Sequence, residues 1–263
     1  MRSQMKKVIV LSAFLAMVCA LAGRAMAESI NSIETTGGTG TVRTLDNGAV
    51  VTAILSQPGT FNGKTYTSWS FMANDGTGSM VVYSTLAGLG YTPTVGDAIT
   101  ATGTYSPYHQ IPEMGTVTSI LANSSGNVVP PPTVTTIPAI NQSTLPFSIA
   151  GYMLELDNVT ISGQTGTFGI TNSPAGAAIT DGSGNSMTFY YWPTSYSTAN
   201  VNLFGEAVPT GPVDMTGFVS VYGTTAEFSP MTITPVPEPA TLVLLAAGGA
   251  CALALRGLRR HAR

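Results

Sequence analysis

The sequence predicts an all-β fold of the sandwich or barrel type. Glycine, proline, threonine, serine and asparagine interrupt the body of the chain about every 8 to 15 residues. Between these interruptions lie short alternating segments rich in valine, isoleucine, threonine, tyrosine and phenylalanine, a pattern typical of half-buried strands. No stretch holds a helical period for three turns. Together, these observations favour strands over helices.

An internal repeat predicts two related domains in tandem. An Asp-Gly-x-Gly turn beginning at Asp75 precedes one strand candidate, and a second such turn beginning at Asp181 precedes another, 106 residues later. Further matches pair residues 48–55 with 151–159, 95–103 with 211–217, and 105–114 with 219–231.

Each repeat unit contains five strand candidates bounded by turn residues. In the first unit they are residues 49–56, 66–73, 79–84, 98–105 and 114–121. In the second unit they are residues 151–161, 167–172, 186–192, 213–221 and 227–233.

The first strand of the second unit is predicted to bend. Its apolar residues occupy even positions up to Leu156 and odd positions from Val159 onward, so the change of face falls at Asp157-Asn158. One extra residue in a strand exchanges its two faces, which is the signature of a β-bulge. A bent first strand that can pair twice is what a small closed barrel needs.

With these features, the body resembles the oligonucleotide/oligosaccharide-binding (OB) fold, present twice. The shared features are a first strand that starts at a glycine, an Asp-Gly-x-Gly turn between strands two and three, and a fourth strand that ends in a glycine. These positions are Gly48 and Gly151, Asp75 and Asp181, and Gly103 and Gly217. The resemblance implies two tandem OB-like β-barrels. A pair of immunoglobulin-like sandwiches is the competing fold, because it uses the same turn chemistry.

The N-terminus has the pattern of a secretory signal peptide. A basic start and a mostly apolar run over residues 8–21 precede the small-residue site Ala25-Met26-Ala27, so signal peptidase is expected to cleave after Ala27. A retained N-terminal anchor is the alternative. The predicted organisation is a signal peptide at 1–27, barrels at 28–120 and 141–235, a Pro-rich linker at 121–140 and a C-terminal segment at 236–263.

The C-terminal segment has three parts. Pro237-Glu238-Pro239 is stiff and non-helical, because two prolines fix φ and lack N–H donors. Residues 240–255 form an uncharged apolar run. An arginine cluster follows, made of Arg256, Arg259, Arg260 and Arg263. An apolar run that ends in arginines is typical of a membrane segment whose basic end lies in the cytoplasm.

In this order, the three parts resemble the PEP-CTERM sorting signal of bacteria, a tail also labelled an ice-binding protein C-terminal domain. That label says nothing by itself about ice. The resemblance implies an exosortase partner that processes the tail near Pro237-Glu238-Pro239. It also implies an inner-membrane-anchored precursor and a mature protein at the cell surface or in the extracellular matrix of a Gram-negative-type bacterium. An ordinary retained anchor is the alternative, but it has no need of the Pro-Glu-Pro.

The charge of the body disfavours nucleic acid as a partner. Arg43 and Lys64 are the basic residues between positions 28 and 239, whereas all 13 acidic residues of the chain lie there, giving a net charge of −11. Such a surface repels phosphate backbones. The two cysteines, Cys19 and Cys251, lie in the two terminal segments, so the body has neither disulfides nor thiolate ligands.

The search for chemistry favours structural roles. Asp75 and Asp181 fit tight Asp-Gly turns better than calcium loops, which need several oxygen ligands. Glu155 and Asp157 lie two apart and could share an ion, but a solvated face explains them more simply. His109 is the one histidine of the body, too few for a histidine-rich metal site. No catalytic residue, cofactor or metal is expected, and the alternative enzyme is a carboxylate-based hydrolase.

Aromatic side chains are the better binding candidates, because exposed rings stack on sugars or bases. In the consecutive aromatics Tyr190, Tyr191 and Trp192, alternation predicts at least one outward ring. With Trp69 they form the predicted ligand-stacking set, and Tyr83, Tyr105, Tyr108 and Tyr222 are further aromatics of the two units. The sequence thus predicts an exported, non-catalytic surface or matrix protein interacting with exopolysaccharide. The alternative is an OB-fold nucleic-acid-binding surface protein.

Overall fold

The computed structural model describes residues 27–61, 64–86, 88–142, 152–168, 177–191, 203, 205–223 and 225–237. The described chain is mostly β, as predicted. It divides into two compact units whose boundary falls between Pro131 and Pro132.

The first unit is a closed five-stranded barrel, which confirms the predicted fold class. Its strands are β1 (Val42–Ser56), β4 (Trp69–Asn74), β5 (Ser79–Ser84), β6 (Ala98–Tyr105) and β7 (Glu113–Ser124). They pair in the order β1-β4-β5-β7-β6 around the barrel, with β5 and β7 parallel and the other pairs antiparallel. A short hairpin of β2 (Gly59–Phe61) and β3 (Lys64–Tyr66) lies between β1 and β4.

The long strand β1 closes the barrel because it pairs twice, with β6 through residues 42–50 and with β4 through residues 50–56. Between Leu45 and Ala49, its register against β6 shifts by two residues. Gly48 in this bulge has φ 74°, a conformation that glycine adopts without a steric cost.

A short N-terminal helix, α1 (Ile30–Thr36), packs against the first barrel and was not predicted from the sequence. Ser29 caps its N-terminus by accepting a hydrogen bond from the Ser32 N–H. Ile30 and Ile33 are fully buried in the barrel core. A Cβ on Gly78 would lie 2.6 Å from Ile30 Cγ2, so the turn after β4 must carry glycine for the helix to dock.

The second unit repeats this pairing. Its strands are β8 (Thr133–Thr135), β9 (Leu154–Ser162), β10 (Ala178–Thr180), β11 (Ser186–Phe189), β12 (Val213–Tyr222) and β13 (Thr225–Pro235), and its helix is α2 (Ile137–Gln142). β9 pairs with both β12 and β10, so the order β9-β10-β11-β13-β12 returns to its starting strand. β8 adds a parallel pairing along β9.

The second strand of this unit differs from the prediction of 167–172. Thr167 forms an isolated bridge with Ala207, and the described strand at that place in the sheet is β10, at residues 178–180. Residues 169–172 lie outside the described residues.

The bulge predicted at Asp157-Asn158 is confirmed. Val159 faces Val213 and Leu156 faces Met215, so three steps along β9 match two along β12. Asn158 has φ 55°, and its N–H donates to the Asp214 carboxylate at 2.9 Å. Asparagine tolerates this left-handed conformation better than most residues do.

The structure corrects the register of the sequence repeat. Leu45 faces Ala101 as Leu156 faces Met215, so the equivalent bulges follow Leu45 and Leu156. The match of residues 48–55 with 151–159 therefore aligned the first strands incorrectly. Both bulges begin within the same Leu-Asp-Asn triplet, at 45–47 and at 156–158.

The predicted linker at 121–140 is partly regular structure. β7 continues to Ser124, and β8 and α2 belong to the second unit. Residues 125–132, which include Pro130, Pro131 and Pro132, remain between the last strand of the first unit and the first strand of the second.

Candidate functional site

The predicted ligand-stacking aromatics occupy different environments. Trp69 is half-buried and packs against the core of the first barrel. Tyr190 is half-buried, and Trp192 lies outside the described residues. Tyr191 is 1% exposed, and its ring forms edge contacts with Phe168 and Phe189 at centroid distances of 5.8 and 5.9 Å. The Tyr191 ring is therefore a core group that is not available for stacking.

The aspartate carboxylates of the two Asp-Gly turns accept hydrogen bonds from backbone N–H groups and so stabilise the local chain. The Asp75 carboxylate accepts hydrogen bonds from the N–H groups of Thr77 and Gly78 with one oxygen, and from the Ile30 N–H with the other. It therefore fixes both its own turn and the start of α1.

Asp181 accepts hydrogen bonds from the N–H groups of Ser183 and Asn185, and the Asn185 side chain donates to its second oxygen at 2.8 Å. This side-chain hydrogen bond, supported by the backbone donors, lowers the pKa of Asp181. The turn interpretation of both aspartates fits these contacts.

The other candidates for chemistry lie apart from one another. Glu155 is half-buried and Asp157 is exposed. In the described parts of the chain, no three acidic, histidine or cysteine residues lie close enough together to hold a metal ion. His109 lies in the loop between β6 and β7 with φ 47°, and its ring contacts the Tyr108 ring edge-on at 4.1 Å.

Within the described part of the chain, the exposed aromatic rings are tyrosines outside the predicted set of four. Tyr83 is 48% exposed, Tyr108 is 50% exposed and Tyr222 is 66% exposed. Tyr83 is on the outer face of β5, because its neighbours Val82 and Ser84 are buried. Tyr108 lies in the loop that leads into β7.

A surface patch, here called the Tyr83 face, consists of Tyr83, Glu113 and Gly115. Tyr83 pairs with Gly115 across the parallel β5–β7 ladder. A Cβ on Gly115 would lie 3.8 Å from the Tyr83 carbonyl oxygen and 3.9 Å from Glu113 Oε1. Packing therefore does not require glycine at 115. The glycine leaves room for a Cβ in ordinary van der Waals contact with the strand of the exposed ring and with a carboxyl group.

Burial raises the pKa of Glu113 to about 7. The Glu113 carboxyl is consequently present in both protonation states near neutral pH. It can therefore donate a hydrogen bond to a hydroxyl group or accept one from it. An exposed ring beside such a group is chemically suited to an uncharged, hydroxyl-rich ligand.

The second barrel has a tyrosine and a glutamate at the equivalent positions, but a serine takes the place of the glycine. Phe189 pairs with Phe228 as Val82 pairs with Met114, and the Tyr190 N–H donates to the Phe228 carbonyl at 3.0 Å. Tyr190 is therefore the counterpart of Tyr83. Glu227 likewise corresponds to Glu113 and Ser229 to Gly115, and Ser229 is fully buried.

Sequence reasoning missed Glu113 and Gly115. The repeat match made Met231 the equivalent of Met114, whereas the strand pairing makes Phe228 its equivalent in the second unit. A shift of three residues along the second unit brings Glu113 onto Glu227 and would have exposed the repeated Tyr–Glu pair.

The second candidate region is the end of the second barrel. β13 ends at Pro235, the Val236 N–H donates to the Pro212 carbonyl at 3.0 Å, and Pro237 is exposed. The described ranges contain no helix with the length and hydropathy of a membrane span. Ala27 is exposed, and the remaining predicted processing residues lie outside the described residues: Ala25, Glu238, Pro239, Arg256, Arg259 and Arg260.

Comparison with protein families confirms the sorting signal. The PEP-CTERM protein-sorting motif matches residues 235–260. The chain therefore carries a signal that implies processing by an exosortase, and it is an exported precursor, anchored to the membrane and sorted to the cell surface.

The comparisons with whole proteins add no function. No curated protein sequence matches the chain significantly. One similar structure is a chain of a replication protein A heterotrimer bound to ssDNA, at 11% identity and TM-score 0.35, with 80% of this chain covering 52% of that chain. Another is a murine DNA-binding protein bound to dsDNA, at 12% identity and TM-score 0.38, with coverages of 76% and 100%. Likenesses this distant carry no argument about ligands.

Proposed function

We propose that the protein is a non-catalytic component of the cell surface or extracellular matrix of a Gram-negative-type bacterium and that it interacts with exopolysaccharide. Signal peptidase removes residues 1–27, and an exosortase processes the C-terminal tail. The observation that carries this proposal is the sorting motif at residues 235–260, which is attached to a body of two small β-barrels.

The Tyr83 face supports a glycan as the ligand. Aromatic rings stack on the apolar faces of sugar rings, while carboxyl groups bond to their hydroxyls. Tyr83 offers the ring, and Glu113 offers the hydrogen-bonding group beside the open space at Gly115. Because Tyr83 is exposed on the outer face of β5, its ring is accessible to the side of a polymer.

Charge narrows the class of glycan and argues against nucleic acid. The body between residues 28 and 239 has 13 acidic residues against two basic ones. Of the two basic residues, Arg43 already pairs with Glu28 at 2.8 Å. A polymer of phosphates or uronic acids would be repelled, so a neutral or amino-sugar polysaccharide is the expected ligand.

Binding to purified exopolysaccharide tests this function. Tyr83→Ala should weaken the binding of the mature protein about fivefold, since a ring–sugar stack contributes on the order of 1 kcal/mol. Gly115→Leu should weaken it comparably by filling the open space. Tyr222→Ala removes a ring that is even more exposed than that of Tyr83, at the end of β12, and serves as the control. Equal binding by all four proteins, wild type included, would reject the Tyr83 face.

The same assay addresses the two alternatives. ssDNA should not bind, and submicromolar binding that weakens with salt would favour the nucleic-acid alternative. A hydrolytic activity that is lost on replacing Glu155 or Asp157 would favour a carboxylate-based enzyme.

The sorting step has a separate test. Glu238→Ala should leave the unprocessed protein in the membrane fraction, whereas the wild-type protein is released from it. If the variant were released normally, the proposal that an exosortase recognises the tail would be contradicted.

A further inference from the structure

The sorting motif overlaps the folded second barrel. The motif begins at residue 235, and β13 ends at Pro235. The barrel continues one residue further, because the Val236 N–H donates to the Pro212 carbonyl at 3.0 Å. Two residues therefore belong both to the barrel and to the signal that the processing enzyme recognises.

The overlap leaves little chain between the barrel and the membrane. The apolar run of the tail begins at Ala240, four residues after Val236. Four fully extended residues span at most about 14 Å. In the anchored precursor, the end of β13 is therefore held close to the membrane surface, where the processing enzyme works.

The end of β13 is the weakly held part of the strand. β13 pairs with β11 at residues 227 and 228, whereas residues 232–235 pair with β12 alone. Thr232, Thr234 and Pro235 are exposed and Ile233 is half-buried, so none of the four side chains at this end is fully buried. Such strand ends open locally without global unfolding.

We propose that the detachment of the end of β13 from β12 controls processing of the tail. An enzyme that binds an extended peptide forms hydrogen bonds with the peptide backbone. In the folded barrel, β12 already engages the backbone at the start of the motif. This inference goes beyond the proposed function and does not depend on glycan binding.

A reversible crosslink tests the proposal in the full-length precursor. Val213 and Pro235 face each other, and the bond from Val236 N–H to the Pro212 carbonyl makes them a non-hydrogen-bonded pair, whose short Cα separation suits a disulfide. The mature body lacks cysteine, so in a Cys251→Ser background the double variant V213C/P235C forms one defined bridge. The pair M215C/I233C is the matched control, because it crosslinks the same strands two residues further from the motif.

Processing is measured as conversion of pulse-labelled precursor to the mature form in cells containing the exosortase. V213C/P235C should be processed more slowly than M215C/I233C, and reduction should restore its rate. The single variants V213C and P235C should behave like the parent. A spacer of six Gly/Ser residues between Val236 and Pro237 should speed processing on the order of fivefold, the effect of one net hydrogen bond. The same spacer after Gly126, between β7 and β8, should not.

Three results would overturn the proposal. Processing of V213C/P235C at the rate of its control would show that the strand end need not detach. Faster processing with the spacer, together with no effect of the crosslink, would show that only distance from the membrane matters. Equal slowing by P235C alone would show that the enzyme reads the proline itself. The spacer variants leave the barrel sequence intact, so they remain informative if the cysteine variants fold poorly.

Discussion

The two barrels share one pairing scheme, yet they use equivalent positions differently. In the first, the Asp75 turn also holds the start of α1, whereas the Asp181 turn of the second bonds within its own loop. In the first, Gly115 leaves space beside Tyr83, whereas its counterpart Ser229 is fully buried. The comparison teaches that the bulges and glycines shared by the two barrels determine how the strands pair. The residues between them determine which side chains are exposed on each outer face.

The largest losses of stability should come from replacing the glycine that occupies the same place in the fourth strand of both barrels, Gly103 in the first and Gly217 in the second. A Cβ on Gly217 would collide with the Ser229 carbonyl oxygen, and one on Gly103 would lie 2.8 Å from the Gly115 carbonyl oxygen. Gly217→Ala should lower the free energy of unfolding by about 3 kcal/mol and Gly103→Ala by about 2 kcal/mol. Urea denaturation measures both. Gly182→Ala, with no atom within 4 Å of the added Cβ, is the control, and equal stability of all three variants would contradict the shared role.

The next largest difference in stability should come from replacing the aspartates of the two Asp-Gly turns. Asp75→Ala removes acceptors for the turn and for the Ile30 N–H, so we expect a loss of about 2 kcal/mol. Asp181→Ala affects an exposed turn alone and should lower the melting temperature less. If the two variants melted at the same temperature, the additional role of Asp75 would be refuted.

A pH effect should belong to the first barrel. Burial and the nearby Asp75 carboxylate raise the pKa of Glu34 in α1 from 4.5 to about 7, and among the described residues Glu34 Oε1 is buried without a hydrogen-bond partner. Between these pH values the unfolded chain releases the proton first, so the free energy of unfolding falls as pH rises from 4.5 to 7.

Glu34→Gln should remove the part of this pH dependence that comes from Glu34, about 1 kcal/mol after allowance for solvent screening, and the part that comes from Glu113 should remain. Thermal melts at pH 4.5 and 7 measure it. Glu113→Gln is the matched variant, because burial raises the Glu113 pKa into the same range without an acidic neighbour. An unchanged pH profile in Glu34→Gln would show that Glu34 is not the responsible group.

Much of the fold could be predicted because local patterns determine it. The change of apolar face around Asp157-Asn158 predicted the bulge. The glycines expected to end the fourth strand, Gly103 and Gly217, instead lie inside it, because β6 continues to Tyr105 and β12 to Tyr222. α1 was missed because its seven residues are too few to display a helical period. Its apolar residues are instead buried by the barrel, a tertiary effect.

The candidate site was harder to predict. Alternation predicts that neighbouring aromatics point to opposite faces, but it does not tell which face is covered. Tyr191 is therefore in the core, while Tyr83 carries an exposed ring. The motif at residues 235–260, in contrast, is read from composition and order alone and needed no structure.

Co-sedimentation of the mature protein with the exopolysaccharide of its own cells tests the central claim most directly, with Tyr83→Ala and Tyr190→Ala measured side by side. The account predicts that the wild-type protein and Tyr190→Ala pellet with the polysaccharide to the same extent and that a smaller fraction of Tyr83→Ala pellets at the same polysaccharide concentration. Equal pelleting of both variants and the wild type, or no pelleting of any of them, would contradict glycan binding by the open face of the first barrel.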